Sequence, residues 1–180
     1  MMFRTCFAAT LVLVAGIVIQ VRETSAQAAQ YERREFGDWV VECSPAEEGD
    51  CQLYQRILTQ DPQVAALAVA LHWKEEVGSF DAQIALPLNV DLRQPARLQI
   101  GDDYSIDLPW SRCTKRGCLI EGNFGSNLIS EMLRSQTASI SVFHVTDGEI
   151  PIPVFLTGFE EAVRTVVSAD AFEKLVAQDS

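Results

Sequence analysis

The chain has 180 residues, 48% of them hydrophobic, with 14 basic against 25 acidic side chains and a net charge of −11. An acidic surface of that size disfavours polyanions, which excludes nucleic acid and bare anionic lipid as partners held by bulk charge. Local basic clusters remain at Arg33-Arg34 and at Arg112 with Lys115-Arg116.

The first element is an apolar run, Phe7 to Val21, preceded by Arg4 and followed by Ala26-Gln27-Ala28. The run is short for a membrane span, and the small-x-small triplet supplies a cleavage site, so residues 1–28 are predicted to be a secretory signal peptide. An uncleaved anchor helix is the alternative. Cys6 lies before the run and not just after it, which does not fit a lipoprotein signal. Cleavage before Ala29 removes Arg4, Arg22 and Glu23 and leaves 152 residues with 12 basic and 24 acidic side chains, a net charge of −12. Residues 29–180 are expected to form one domain, since no linker, repeat or low-complexity stretch divides them. The expected location is the periplasm, the outer surface or the medium, with no integral membrane segment after cleavage.

Period-2 and β-branched runs dominate the chain after residue 30. Phe36–Cys43 (F-G-D-W-V-V-E-C) and Cys51–Leu58 (C-Q-L-Y-Q-R-I-L) are predicted as strands of one hairpin, although Gln55 shares a face with Leu53 and Ile57. Val64–Trp73 is almost continuously apolar, a pattern open to a buried helix, but its large-small alternation suits a central strand. Further strands are predicted at Ala82–Leu86, at Ala96–Ile100 and Tyr104–Leu108 around the Gly101-Asp102-Asp103 turn, at Cys118–Glu121 and at Ala138–Val145. Pro151 and Pro153 confine Ile150–Leu156 to an edge or to strand ends, because proline lacks the N–H that a ladder needs. Three helical patterns interrupt the strands. Ser126 is expected to cap one that buries Leu128, Ile129, Met132 and Leu133. Phe159–Val167 carries Phe159, Ala162, Val163, Val166 and Val167 at helical spacing. Asp170 with Glu173 suggests a capping box for a last helix burying Phe172, Leu175 and Val176. Many short strands with few helices predict a mainly β chain folded as an antiparallel β-sandwich.

Removing Cys6 leaves four cysteines, Cys43, Cys51, Cys113 and Cys118, an even number that in an exported domain implies disulfides. Of three possible pairings, spacing favours the two local ones, Cys43–Cys51 and Cys113–Cys118, each across a turn-rich loop whose hairpin ends face one another. Zinc is the rival reading, but the spacings lack the usual knuckle, and no Cys-x-x-Cys suggests redox catalysis.

Nothing commits the chain to chemistry. A nucleophile needs a base within reach, and the two histidines, His72 and His144, both fall inside predicted strands, where packing is the commoner role. There is no Gly-x-Ser-x-Gly elbow, phosphate-cradling glycine loop or His-Glu-x-x-His. The paired glutamates at 47–48, 75–76 and 160–161 are chain neighbours that point apart in regular structure. Asp102, Asp103 and Asp107 lack a full calcium ligand set and are expected to form a plain turn. No cofactor, metal or catalytic residue is expected.

The constellation Phe36-Gly37-Asp38-Trp39 with Cys43 resembles the F-G-D-W-x-x-x-C opening of the invasion-associated locus B family. In the same order come Cys51-Gln52, the Leu-Pro-Leu-Asn-Val stretch at 86–90, Cys113-Thr-Lys-Arg-Gly-Cys118, and Val154–Ala162 with its Leu-x-Gly-Phe-x-x-Ala. The resemblance spans roughly residues 34–167. Leu88-Asn89 stands where the family often has a glycine, which bears on that turn's geometry. The resemblance implies an exported bacterial protein with an immunoglobulin-like β-sandwich and no established enzyme activity. It also implies a link to pathogen entry into host cells, a specialised use of a more general envelope role, since many members come from bacteria without that lifestyle. On the residues themselves, Trp39 is expected to anchor the core beside the first disulfide and Gly37 to permit close backbone approach.

The leading reading is a non-catalytic module that binds a protein partner of unknown identity; the alternatives are a structural or stress-related envelope protein and an envelope enzyme using His72 or His144. The best candidate contact is the second cysteine loop, where Arg112, Lys115 and Arg116 stand out from an acidic background and Trp110 offers an aromatic anchor. The competing expectation is that Trp110 packs inward and the basic residues are only solvated.

Overall fold

The structure is a computed structural model and describes residues 32–45, 50–59 and 65–177. The expected signal peptide and its cleavage point lie outside the described residues.

Eleven strands form two antiparallel sheets in the described residues. Strands β1 (Glu32–Phe36), β2 (Trp39–Cys43), β3 (Cys51–Leu58), β4 (Ala65–Lys74) and β5 (Ser79–Leu86) run as successive hairpins. Adding β8 (Arg112–Thr114) and β9 (Gly117–Phe124) completes a seven-stranded sheet in the order β1-β2-β3-β4-β5-β9-β8. The second sheet has four strands in the order β11-β10-β6-β7, from β6 (Ala96–Ile100), β7 (Tyr104–Leu108), β10 (Thr137–His144) and β11 (Gly148–Phe155). Alternate residues of both sheets point into one core: Leu53, Leu71 and Ile84 from the larger sheet, Leu98, Ile100 and Ile140 from the smaller, all essentially inaccessible. The antiparallel β-sandwich is therefore the observed architecture, and the ambiguous apolar run forms a central strand over its described residues, Ala65–Lys74.

The expected strand over 36–43 is instead a tight hairpin. Gly37, at φ +55°, and Asp38 make the turn between β1 and β2. β1 has no apolar alternation to reveal it, because its Glu32–Glu35 side chains are all exposed. β11 is an edge strand, as its prolines require, with Pro151 and Pro153 opposite Ser141 and Ser139.

Among the described residues three helices pack with the sheets. In α1 (Ser126–Arg134) the N-cap is Gly125 and no side chain caps it, so Ser126 is the first helical residue and not the cap; Leu128, Ile129 and Met132 are buried. α2 (Phe159–Val166) buries Phe159, Ala162 and Val163. In α3 (Ala169–Val176) the cap is Ser168, whose Oγ accepts from the Ala171 N–H at 3.3 Å. Asp170 sits instead in the first turn, where its charge favours the positive end of the helix dipole. Phe172 and Leu175 face the core, but Val176 is 40% exposed and does not.

Asn89 takes the left-handed conformation, φ 68°, at the turn where the resemblance expects a glycine. Asparagine tolerates this region better than other side chains, so the turn is kept. Its carbonyl accepts from Val145 N–H at 2.9 Å, and Asp91 N–H donates to Phe143 O at 2.7 Å, tying the loop onto the end of β10.

Candidate functional site

The residues that carry the F-G-D-W and L-x-G-F resemblances meet in space as a joint between the two sheets. Trp39 is fully buried, 4.8 Å from the Phe159 ring, and its Nε1–H donates to Phe155 O at 2.8 Å. Gln55, 3% exposed on the inner face of β3, donates to Phe155 O at 2.8 Å and to Asp38 O at 3.3 Å, and accepts from Phe155 N–H at 2.9 Å. Asp38 N–H donates to Thr157 O at 3.0 Å. The glycines permit this approach: a Cβ on Gly37 would lie 2.5 Å from Thr157 O, and one on Gly158 2.0 Å from Phe36 O. Trp39 thus anchors the end of β2 remote from Cys43, against α2 and β11, and not the region beside the first disulfide. Gln55, which breaks the apolar pattern of β3, is the polar centre of the joint. These are packing and hydrogen-bonding roles that hold the sheets in register.

Both cysteine pairs are bonded as the spacing favours, Cys43–Cys51 and Cys113–Cys118, each across opposed residues of a hairpin. The second forms a rigid projection at the edge of the larger sheet. Gly117 (φ +146°) passes so close to β5 that a Cβ would meet Leu86 O at 2.5 Å, and Cys118 is buried while Cys113 is exposed. The turn is closed by Thr114, whose Oγ1 accepts from Arg116 N–H at 3.2 Å. At its base, Ser111 N–H donates to Leu119 O at 2.9 Å, and Glu121 N–H donates to Ser111 Oγ at 2.8 Å.

The four predicted contact residues do not behave alike. Lys115 and Arg116 sit exposed at the hairpin tip and make no ion pair with a described residue. Arg112 is exposed and ion-paired with Glu121. Trp110 is half-buried against the core, its Nε1–H donating to Gln94 O at 2.8 Å. It holds the chain leading into the hairpin, and only part of its ring faces outward.

Each histidine is partly exposed and lies beside a carboxylate. His72, on the outer face of β4, lies 2.8 Å through Nε2 from Asp50. His144 Nδ1 lies 3.0 Å from Asp147 Oδ2 and 3.1 Å from Thr146 Oγ1. A triad needs the acid on one ring nitrogen and the nucleophile on the other. Here Thr146 and Asp147 share Nδ1, and Thr146 donates onward to Asp147 at 2.9 Å, so the hydroxyl proton is directed away from the ring. Asp107 pairs with Arg97 at 3.2 Å, and Asp102-Asp103 is the β6–β7 turn. Among the described residues no group of His, Cys, Asp or Glu could hold a metal ion, and no helix is long and apolar enough to cross a membrane.

The profile of the family described as "Invasion associated locus B (IalB) protein" matches residues 39–167. Two Brucella abortus proteins, each described as an "Invasion protein B homolog", are 22% identical over 142 residues, 73% of this chain and 76% of each relative. The crystal structure of invasion associated protein B from Bartonella henselae superposes with a TM-score of 0.65 at 19% identity, covering 79% of this chain and 99% of that one. At that identity the superposition bears on the fold, and the fold agrees.

Proposed function

The chain belongs to the invasion associated locus B family, and from that premise we propose that it is an exported envelope protein, mature from Ala29, which acts by binding a protein partner and performs no chemistry. The family is named for association with invasion and not for an enzyme activity. Two disulfides fit an oxidising compartment.

The observation that carries the reading is the second disulfide hairpin. It presents Lys115 and Arg116, unpaired with any described residue, on a chain of net charge −11. The acidic body repels generic anionic surfaces, while the local positive tip steers toward an acidic patch on one partner, which gives selectivity. The disulfide and the close contact with Leu86 hold the tip before binding, so little ordering entropy is lost on association. Trp110 contributes at the rim. The relatives' association with invasion makes a host or envelope protein the partner class.

The test compares the oxidised exported protein with Arg112→Glu/Lys115→Glu/Arg116→Glu for affinity toward the partner captured from envelope extract. Since Arg112 also pairs with Glu121, Lys115→Glu/Arg116→Glu serves as the variant with the base of the hairpin intact. The proposal expects both to weaken binding with an unchanged melting temperature; equal affinity in both removes the hairpin from the interface.

A further inference from the structure

The outer face of the seven-stranded sheet is not flat. Its middle strands carry alanines there: Ala70 of β4 lies between Tyr54 and Gln83, and Ala68 lies between Arg56 and Ala85. Small side chains on the central strands and longer ones on the flanks leave an open trough of about 320 Å³. Tyr54 and Gln83 stand two strand spacings apart, so the trough is roughly 10 Å across. We propose that this trough binds a neutral saccharide chain, a site separate from the disulfide hairpin and independent of the protein-binding reading.

The lining carries the chemistry of that ligand class. Gln52 and Gln83 are exposed, on opposite sides of the alanine floor, and neither side-chain amide bonds to a described residue. An amide offers two donors beside an acceptor, a match for adjacent hydroxyls. Tyr54 is held in place: its hydroxyl donates to Glu42 at 2.9 Å, and burial followed by that hydrogen bond pushes its pKa up, so it stays a neutral phenol. Arg33 lies over the ring, 6.0 Å from its centre, and the same tyrosine lines the trough. The negative π face of a ring attracts the polarised C–H groups of a sugar. An apolar floor with a few convergent polar groups is the usual form of a small-ligand site.

Charge and backbone argue against other occupants. Arg56 and Glu42 balance within the lining, so the trough itself carries no net charge to hold a charged ligand, and the acidic body further disfavours a polyanion. An extended peptide normally adds to a sheet edge, where free N–H and C=O groups wait. Here β3, β4 and β5 are interior strands with partners on both sides, so a peptide backbone would find none.

The test is heteronuclear NMR of the oxidised exported protein, following the side-chain NH₂ signals of Gln52 and Gln83. The probes are hexamers of β-1,4-linked glucose, β-1,4-linked N-acetylglucosamine and α-1,4-linked glucose, with a glutamate-rich decapeptide and a heparin hexasaccharide alongside. The expected result is that at least one neutral hexamer shifts both amides, and that Gln52→Ala/Gln83→Ala weakens its binding about tenfold with no change in melting temperature. Lys115→Glu/Arg116→Glu should bind that hexamer as the unaltered protein does. No amide shift with any neutral hexamer at about 10 mM, weaker than the millimolar affinity of a minimal ligand, overturns the proposal. So do shifts confined to the decapeptide or to heparin, or binding that the double alanine variant leaves unchanged.

Discussion

Gln55→Met isolates the joint between the sheets. Methionine keeps the length and flexibility of glutamine but neither donates nor accepts a normal hydrogen bond. The substitution removes three contacts, to Phe155 O, Phe155 N–H and Asp38 O. Phe155 O keeps the Trp39 indole N–H, so the group left most exposed to loss is the Phe155 N–H, in β11 at the sheet edge. Net loss of two good hydrogen bonds and one long one is about 2–3 kcal/mol, and an orphaned donor adds about 1 kcal/mol more. Better apolar packing of the thioether against Leu53 and Trp39 returns some of this, so the expected destabilisation is about 3 kcal/mol. For a chain of this size that lowers the melting temperature by roughly 6–12 °C. Urea unfolding followed by tryptophan fluorescence measures it, with the slope unchanged if the unfolded state is unaffected. Paired with Trp39→Phe, the two losses should not add, because both side chains bond to the same carbonyl. A loss below about 1 kcal/mol for Gln55→Met, or strict additivity with Trp39→Phe, would refute the joint.

Non-reducing peptide mapping should recover Cys43–Cys51 and Cys113–Cys118, and replacing either pair by alanine should cost roughly 2–3 kcal/mol on the chain-entropy account without abolishing the fold. His72→Gln/His144→Gln should fold and bind as the unaltered protein does; loss of function at an unchanged melting temperature would favour an enzyme. The Asp91 carboxyl, which accepts from the Arg93 guanidinium at 2.8 Å and from its N–H at 3.1 Å, is held well below the usual carboxylate range, chiefly by that side-chain pairing. A depressed folded pKa contributes stability above the ordinary value near 4 and loses it as pH falls toward the folded value, so the loop at 89–93 should loosen only in strong acid. Carbon-detected titration should place Asp91 below the ordinary range, and Arg93→Ala should raise its midpoint toward that range, the backbone N–H at 93 remaining as a donor; identical midpoints would contradict the pairing.

Where burial on one face dictates the residues, the sequence is easy to read. Cys51–Leu58, Ala96–Ile100 and Tyr104–Leu108 have the bounds that their pattern predicts, because alternation and glycine turns mark them directly. β1 escapes such reading since an exposed, charged edge strand has no apolar face. The turn at Gly37-Asp38 hides within a continuous run because the backbone conformation of one glycine, and its contact with Thr157, come from the far end of the chain. The same long range conceals the role of Gln55, whose partners are up to 100 residues away. Its position on an apolar face is the available signal. Of the candidate contact, the disulfide and the basic tip are legible; the inward attachment of Trp110 is not, since it depends on a carbonyl in the loop before β6. The alanine trough leaves no motif, because its alanines line up only when three strands are placed in register.

The central claim is that the second disulfide hairpin meets a protein partner. A photo-crosslinking amino acid placed at position 115, in the exported full chain expressed in its own cell and exposed to its usual surroundings, tests it most directly. The account predicts a discrete, light-dependent protein adduct from position 115 that disappears when Arg116→Glu is added, and none from position 102 in the β6–β7 turn. Adducts of equal yield at 115 and 102, or none at 115, would contradict it.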